Sequence, residues 1–142
     1  MADYEPNPTG WVAKQVELYE STNGREGSLL RGLPCVIVTY TGRKSGAVRK
    51  TALMRVKDVE GYVLVASLGG SPKHPLWYFN LRDEPNITIR DVDQVMEMRA
   101  TEITDPAERA RLWALSVEAF PPYAEYQLKT SRVIPVFRAA PR

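Results

Sequence analysis

Short apolar runs separated by tight turns constrain the fold of this chain more than any other feature of its sequence. The clearest is 33–41 (LPCVIVTYT), whose β-branched residues predict a strand that is buried on both faces. Five more strands are predicted, over 48–58, 62–67, 86–92, 95–104 and 133–138. Hairpin turns are predicted at Glu60-Gly61 and Asp93-Gln94. The strands do not alternate regularly with helices, which favours an α+β fold with a mainly antiparallel barrel over a doubly wound parallel sheet.

Helices are predicted over 10–22, 74–83, 105–120 and 123–129. The strongest of these signals is the third, because Asp105 can cap the helix and Pro106 suits its first position. Glu108 would complete a capping box with Asp105. The Pro121-Pro122 pair then ends the helix.

Length and composition limit the class of protein. A chain of 142 residues with 44% hydrophobic and 25% charged residues suits one globular domain. No apolar run approaches the ~20 residues that span a membrane, and the first residues do not predict a signal peptide. Cys35 is the single cysteine and His74 the single histidine, which argues against a disulfide framework, a metal site and a serine-histidine-aspartate triad. We therefore expect a cytoplasmic protein without a metal.

The positive charge of the chain is concentrated in one segment. Residues 27–57 contain seven basic side chains and no acidic one, although the formal net charge of the whole chain is only +2. Four of these cations lie within TGRKSGAVRKT (41–51), between two predicted strands. Its two glycines and Ser45 would let the backbone approach an anion and donate hydrogen bonds to it. The pattern indicates an anion-binding loop, although a solvated basic hairpin would have the same composition.

Two further stretches carry aromatic and hydroxyl groups. In ASLGGSPKHPLWYFN (66–80), a Gly-Gly turn leads into an aromatic helix whose rings either line a pocket or pack in the core. His74 in this stretch is interpreted as a turn or surface residue rather than a base. In FPPYAEY (120–126), the hydroxyls of Tyr123 and Tyr126 can donate to an oxygen that gains negative charge, or the rings can anchor the helix. Such groups, without evident acid–base or metal machinery, favour an enzyme whose bound coenzyme carries the chemistry.

These stretches resemble the deazaflavin (coenzyme F420)-dependent nitroreductase family, which comprises actinobacterial quinone and nitro reductases. The resemblance rests on TGRKSGAVRKTALM, ASLGGSPKHPLWYFN and FPPYAEYQLKTSRVIPVF, which occur in the family's order between about residues 23 and 137. It implies a split β-barrel of the flavin-reductase type, filling residues 1–142 as a single deazaflavin-binding domain. It also implies a mobile helical segment within residues 1–25.

The resemblance also assigns roles to individual residues. The positions that hold the phosphate and glutamate tail of the coenzyme are matched by Arg43, Lys44 and Ser45. The strand beside the coenzyme is matched by Arg49, Lys50, Thr51, Ala52, Leu53 and Met54, and the edge that meets the deazaflavin ring by Val65, Ala66 and Ser67. The aromatic helix that closes the site is matched by Leu76, Trp77, Tyr78, Phe79 and Asn80, and a tyrosine near the ring by Tyr123. The candidate catalytic donors are Ser67, Tyr123 and Tyr126.

The implied reaction is hydride transfer from reduced coenzyme F420 to a small-molecule quinone, with nitroaromatics as a side reaction. Two positions depart from the family pattern. Leu68 stands where some members have a lysine, and Phe120 stands where the members that activate nitroimidazole prodrugs have a tyrosine. The second departure argues against nitroimidazole reduction, because the hydroxyl is missing.

The residues allow three alternative functions. One is an FMN-dependent split-barrel oxidoreductase, which would use the same basic loop for one phosphate. Another is a non-catalytic deazaflavin carrier. The third, a nucleic-acid-binding barrel, is disfavoured because Tyr40 is the one aromatic residue among the clustered cations, so no nucleic-acid partner is expected. A membrane-held quinone would call for peripheral contact with the inner face of the cell membrane, and the sequence leaves the oligomeric state open.

Overall fold

The computed structural model describes residues 3–59 and 61–142. Its helices are α1 (Gly10–Ser21), α2 (Leu76–Asp83), α3 (Pro106–Ala119) and α4 (Pro122–Leu128), with a 3-10 turn at Leu68–Gly70. Its strands are β1 (Leu29–Leu30), β2 (Leu33–Thr41), β3 (Val48–Met54), β4 (Tyr62–Val65), β5 (Asn86–Asp91), β6 (Gln94–Glu102) and β7 (Val136–Pro141). Every predicted helix and strand therefore has a counterpart. The turn predicted at Glu60-Gly61 includes Glu60, which lies outside the described residues.

The strands form one antiparallel sheet that curls without closing completely. Its hydrogen-bonded order is β1-β2-β5-β6-β7-β4, and β3 also pairs with β2. Beside the turn that follows β3, the backbone N–H of Val63 donates to the carbonyl of Val56 at 2.9 Å. The strands β3 and β4 themselves come into contact but share no hydrogen-bonded ladder. This arrangement confirms the predicted α+β split barrel and leaves an opening between β3 and β4.

Alternation along β2 divides its side chains between two hydrophobic layers. Val36 and Val38 belong to the core inside the barrel, whereas Cys35 and Ile37 pack against α1. All four are at most 1% exposed, which confirms that this strand is buried on both faces. A third layer packs α3 and α4 against the faces of β4 and β7 that point away from the barrel interior. Its members include Val63, Val65, Val136, Leu112 and Tyr123.

Two prolines explain why strand boundaries differ from the prediction. β3 ends at Met54 instead of 58. Arg55 N–H still donates to the carbonyl of Pro34 at 3.0 Å, but Pro34 has no N–H to return the bond and extend the ladder. β7 begins at Val136 instead of 133, directly after Pro135. Hydrophobic alternation alone does not register such a missing donor.

The strand β1 was missed by the sequence prediction. It forms a hairpin with the start of β2, in which Leu30 pairs with Leu33 across a two-residue turn. The turn residues Arg31 and Gly32 have φ values of 53° and 76°. A left-handed pair of this kind is typical of a type I′ hairpin turn, where Asn-Gly or Asp-Gly is the usual sequence signal. Because arginine occupies the first turn position, this sequence lacks that signal.

The start of α3 follows the predicted cap only in part. Asp105 Oδ2 accepts a hydrogen bond from the backbone N–H of Glu108 at 3.0 Å, which confirms the first half of the capping box. The second half is wrong, because the Glu108 carboxylate accepts hydrogen bonds from Arg111 and Arg138 instead. Charge-assisted contacts with two guanidinium groups outweigh one backbone N–H.

Candidate active site

A cleft of about 980 Å³ lies at the opening between β3 and β4. Its walls come from the segment before α1, the loop between β2 and β3, the strand β3, the stretch from the 3-10 turn into α2, and α4. This volume is at the upper end of the range for small-molecule and cofactor pockets. The cleft is therefore large enough for a ligand of cofactor size.

The loop 42–47 between β2 and β3, called the basic loop below, lines part of the cleft. Gly42 N–H donates to the carbonyl of Ala47 at 2.8 Å, which closes the base of the loop. Asn80 Oδ1, on α2, accepts a hydrogen bond from Arg43 N–H at 2.9 Å. The backbone that carries Arg43 and Lys44 is therefore held by its own turn and by α2.

The cations at this part of the cleft are only weakly engaged by the protein's own acids. Arg43 lies 4.0 Å from Asp83, and Arg49 lies 3.0 Å from Glu5, with both carboxylates about half exposed. Lys44 has no ion pair within residues 3–59 and 61–142. Exposed ion pairs contribute little free energy, so a multiply charged anion can replace these carboxylates.

Most residues that the sequence predicted for the coenzyme site line the cleft. They are Arg43, Lys44, Ser45, Arg49, Thr51, Ala52, Leu53, Met54, Val65, Ser67, Leu76, Trp77, Phe79, Asn80 and Tyr123. The candidate catalytic donors Ser67, Tyr123 and Tyr126 line it as well. The fold thus brings three separate sequence stretches to one cavity.

Three other predicted contact residues lie outside the lining of the cleft. Lys50 Nζ is 2.7 Å from Glu20 of α1. Ala66 is fully buried in the core of the barrel. Tyr78 packs in the same core and donates its hydroxyl to Glu102 at 3.0 Å. The sequence prediction assigned every residue of a stretch to the coenzyme site, but successive side chains of a strand or helix point in different directions.

Several hydroxyl groups that line the cleft have no hydrogen-bond partner within residues 3–59 and 61–142, and those of Ser67 and Tyr123 are among them. Tyr123 is 4% exposed and Ser67 is 8% exposed, and neither hydroxyl takes part in a hydrogen bond within the described part of the chain. In that same part, no fully buried side-chain oxygen or nitrogen lacks a partner. Both hydroxyl oxygens therefore remain accessible from the cleft. Burial, and to a lesser degree Tyr126, raise the pKa of Tyr123, so its hydroxyl stays protonated at neutral pH and can donate.

The stretch around Ser67 is fixed by Arg132, which the sequence prediction did not select. Its guanidinium donates to the carbonyls of Ala66 at 3.1 Å, Ser67 at 2.8 Å and Ser71 at 2.9 Å. These partners are more than 60 residues away in sequence, so no local motif could indicate the contact. Arg132 therefore positions the chain that carries Ser67 without itself lining the cleft.

Arg132 also determines the tautomer and the protonation state of His74. Arg132 Nη1 lies 3.1 Å from His74 Nδ1, and an arginine can only donate, so Nδ1 accepts and Nε2 carries the ring hydrogen. Burial and the positive charge of Arg132 lower the pKa of His74, which keeps the ring neutral at pH 7. His74 lies in the loop before α2, as its interpretation as a turn residue implies, but it is half-buried and lines the cleft instead of lying on the open surface. The ring nitrogen that can accept a hydrogen bond, Nδ1, is occupied by Arg132.

Arg31 and Tyr126 line the cleft beside an aromatic group. Arg31 Nη1 donates to the Tyr126 hydroxyl at 2.9 Å, and its guanidinium carbon lies 6.0 Å from the ring centroid of Phe120. Trp11, at the start of α1, also lines the cleft and is 57% exposed. The sequence prediction did not include Arg31 or Trp11 in the site, because both residues lie outside the three motif stretches.

The described residues offer no group of three or more His, Cys, Asp or Glu side chains that could hold a metal ion. Among the helices of residues 3–59 and 61–142, none combines the length and the apolar character that crossing a membrane requires.

The sequence of this chain matches a known family. The model of the family described as F420H(2)-dependent quinone reductase matches residues 11–141. An F420H(2)-dependent quinone reductase of Mycobacterium tuberculosis is 37% identical over 123 residues, which cover 84% of this chain and 82% of that protein.

Two solved structures are also similar. One is described as an F420-H2 dependent reductase (FDR-A); it is 50% identical, has a TM-score of 0.70, and the match covers 75% of this chain and 93% of that one. The other is described as a domain-swapped dimer; it is 47% identical, has a TM-score of 0.74, and the match covers 94% of this chain and 99% of that one.

Proposed function

This chain belongs to the F420H(2)-dependent quinone reductase family, and we propose that it is an oxidoreductase that binds coenzyme F420 in the cleft and reduces a quinone there. One observation carries the proposal: the same cleft combines the basic loop with the hydroxyls of Ser67 and Tyr123. The basic loop suits a polyanionic coenzyme tail. The two hydroxyls suit a quinone oxygen that gains negative charge during reduction.

The residues of the cleft fit a coenzyme with a phosphate- and carboxylate-bearing tail. Arg43, Lys44 and Arg49 would hold the tail, since arginine binds such groups in a bidentate manner and lysine as a point charge. A Cβ atom on Gly42 would lie 3.1 Å from Ser45 Oγ and 3.2 Å from Arg49 Nε, so glycine leaves both side chains room to turn toward the ligand.

The planar part of the coenzyme would lie against the apolar part of the cleft. Leu53, Met54 and Val65 line this part, and Met54 and Val65 are less than 10% exposed. Such side chains exclude water from the reacting centre and strengthen electrostatic interactions inside it. When bound in its reduced form, the deazaflavin supplies a hydride in a two-electron step.

The chain's own contribution is to place and polarise the acceptor. Reduction of a quinone to a hydroquinone takes up one hydride and one proton, and negative charge develops on a quinone oxygen as the hydride arrives. Tyr123 can donate a hydrogen bond to that oxygen because its raised pKa keeps it protonated. Ser67, held in place through its carbonyl by Arg132, supplies a second hydroxyl.

Quinones are proposed here ahead of nitroaromatic compounds. Phe120 is buried against Tyr123, with ring centroids 4.9 Å apart, and it offers no hydroxyl to a nitro group. A quinone oxygen needs only the donors already present on Ser67 and Tyr123. We therefore expect nitroaromatic compounds to be reduced more slowly than quinones.

The proposal is tested by titrating the purified chain with oxidised coenzyme F420 and, in parallel, with FMN, while ligand fluorescence is followed across a salt series. We expect F420 to bind and its affinity to fall as salt rises. A chain loaded with reduced coenzyme should then oxidise it when a naphthoquinone is added. Binding of FMN alone would assign the chain to flavin chemistry instead, and F420 binding without turnover on any quinone would make it a carrier.

A further inference from the structure

Arg31 places a cation in the cleft at a distance from the basic loop. It lies in the turn before β2, whereas the basic loop follows the last residue of β2. β2 has nine residues, and a strand rises roughly 3.3 Å per residue, so the two positions are separated by on the order of 30 Å of strand. The tail site formed by Arg43, Lys44 and Arg49 therefore leaves Arg31 as a separate positive charge.

The guanidinium of Arg31 is largely unused by the protein. Arg31 is exposed, and within residues 3–59 and 61–142 no carboxylate lies within 4.0 Å of it. Its side-chain hydrogen bond in this part of the chain is to the hydroxyl of Tyr126, at 2.9 Å. A guanidinium has five N–H donors, so four remain for a ligand.

The contact with Tyr126 adds a second donor at the same place. Because Arg31 can only donate, the Tyr126 oxygen accepts, and the phenolic proton of Tyr126 stays free to donate elsewhere. An N–H group and an O–H group are thus held about one hydrogen-bond length apart on the wall of the cleft. Two such donors match the two oxygens of a carboxylate, or two oxygens of a sulfonate.

We propose that Arg31 and Tyr126 form a second anion site, which binds an acidic substituent of the quinone acceptor. The acceptor class is then a quinone that carries a carboxylate or sulfonate on its ring system. This inference rests on the proposed function for the identity of the acceptor, but the anion site itself does not depend on the coenzyme. Phe120, 6.0 Å from the guanidinium, provides an aromatic surface beside the charge for the quinone ring.

The backbone conformation at Arg31 allows a substitution that removes the guanidinium without straining the turn. Its φ of 53° is left-handed, a conformation that asparagine tolerates better than arginine, and Asn-Gly is the preferred pair for this turn. Arg31→Asn therefore removes the guanidinium while favouring the hairpin, and we expect an unchanged or higher Tm. Arg31→Lys keeps the charge without the planar fork. The matched control is Arg25→Asn, since Arg25 is exposed and lies outside the cleft lining.

The experiment compares 1,4-naphthoquinone-2-sulfonate with the neutral 2-methyl-1,4-naphthoquinone. The ratio of kcat/KM for the two acceptors is measured in each variant, and calorimetry measures sulfonate binding with and without oxidised F420. In Arg31→Asn we expect the ratio and the sulfonate affinity to fall roughly tenfold, with partial recovery in Arg31→Lys and no change in Arg25→Asn. Tyr126→Phe should lower the sulfonate affinity less than Arg31→Asn does.

The possible outcomes separate this inference from the proposed function. If F420 binds but the ratio is unchanged in Arg31→Asn, or falls equally in Arg25→Asn, the anion site is wrong and the quinone reductase function stands. If F420 does not bind while the sulfonate binds with an affinity that depends on Arg31, the anion site stands and the proposed function fails. Absence of sulfonate binding to the unaltered chain overturns the anion site.

Discussion

The side-chain oxygen of Asn80 accepts a hydrogen bond from the backbone N–H of Arg43 at 2.9 Å, across 37 residues of sequence. The contact joins α2 to the basic loop, so the helix that borders the cleft also sets the position of its cations. Asn80 itself is buried, which shields the bond from competing water.

Replacement of Asn80 should therefore weaken coenzyme binding through the loop. We expect Asn80→Ala to raise the Kd for F420 about fivefold, since one hydrogen bond contributes ~1 kcal/mol. Fluorescence titration measures the change. Asn86→Ala, at an exposed position outside the cleft lining, is the control and should leave the Kd unaltered. Equal Kd values for the two variants would mean that the basic loop holds its shape without α2.

The hydroxyl of Tyr123 is expected to act on turnover rather than on coenzyme affinity. Tyr123→Phe should lower kcat by on the order of 100-fold, because loss of one donor to a developing oxyanion costs ~3 kcal/mol. The Kd for F420 should change less than twofold, so the two measurements together distinguish a role in turnover from a role in coenzyme binding. Tyr4→Phe, an exposed tyrosine outside the cleft lining, is the control. An unaltered kcat in Tyr123→Phe would exclude this hydroxyl from the reaction.

Lys44 should contribute to coenzyme affinity by charge alone. Lys44→Ala is expected to weaken F420 binding at low salt and to have a smaller effect at ~1 M salt, where exposed charges are screened beyond ~3 Å. The measurement is the Kd of F420 across a salt series. Lys14→Ala removes a cation from the exposed side of α1 and should leave the series unaltered. A salt-independent loss in Lys44→Ala would instead indicate a damaged loop.

Arg132 is expected to affect stability and turnover together. Arg132→Gln leaves three backbone carbonyls without their donors, so the free energy of unfolding should fall by ~2–3 kcal/mol and kcat should also fall as Ser67 loses its support. Denaturant unfolding and steady-state kinetics measure the two effects. Arg99→Gln, on the exposed side of β6, is the control. Unfolding curves that coincide for Arg132→Gln and the unaltered chain would contradict the positioning role.

Gly70 allows α4 to approach the 3-10 turn. Its φ is 83°, and a Cβ atom there would lie 2.8 Å from the carbonyl oxygen of Tyr126. Gly69 has a similar φ of 63°, but a Cβ atom there would meet nothing within 4 Å. Both alanine variants carry backbone strain, so their difference isolates the clash. We expect Gly70→Ala to lower the free energy of unfolding by ~1–2 kcal/mol more than Gly69→Ala, measured by denaturant unfolding. Equal losses would show that α4 can move away.

Local signals in the sequence determined the elements of this fold. The run 33–41 predicted β2 with its observed bounds, because β-branched residues and flanking turns act within a few residues. The cap at Asp105 likewise located the start of α3. The basic loop between two strands could be found in the same way, since two glycines and a cluster of cations are contiguous. The end of β3 was missed because it depends on Pro34 of the partner strand, whereas the start of β7 was missed because the prediction continued the strand across Pro135.

Only the tertiary structure decided which side chains face the cleft and how they are held there. Arg31 and Tyr126 are 95 residues apart, and Arg132 and Ser67 are 65 residues apart, yet each pair is joined by a hydrogen bond. The first bond joins the turn before β2 to α4, and the second joins the segment before β7 to the residue before the 3-10 turn, so no periodicity or motif within one stretch encodes them. Lys50 and Tyr78 face away from the cleft while their sequence neighbours line it, because successive side chains of a strand or helix point in different directions. Sequence specifies the elements because their causes are local, whereas the site arises where distant elements converge.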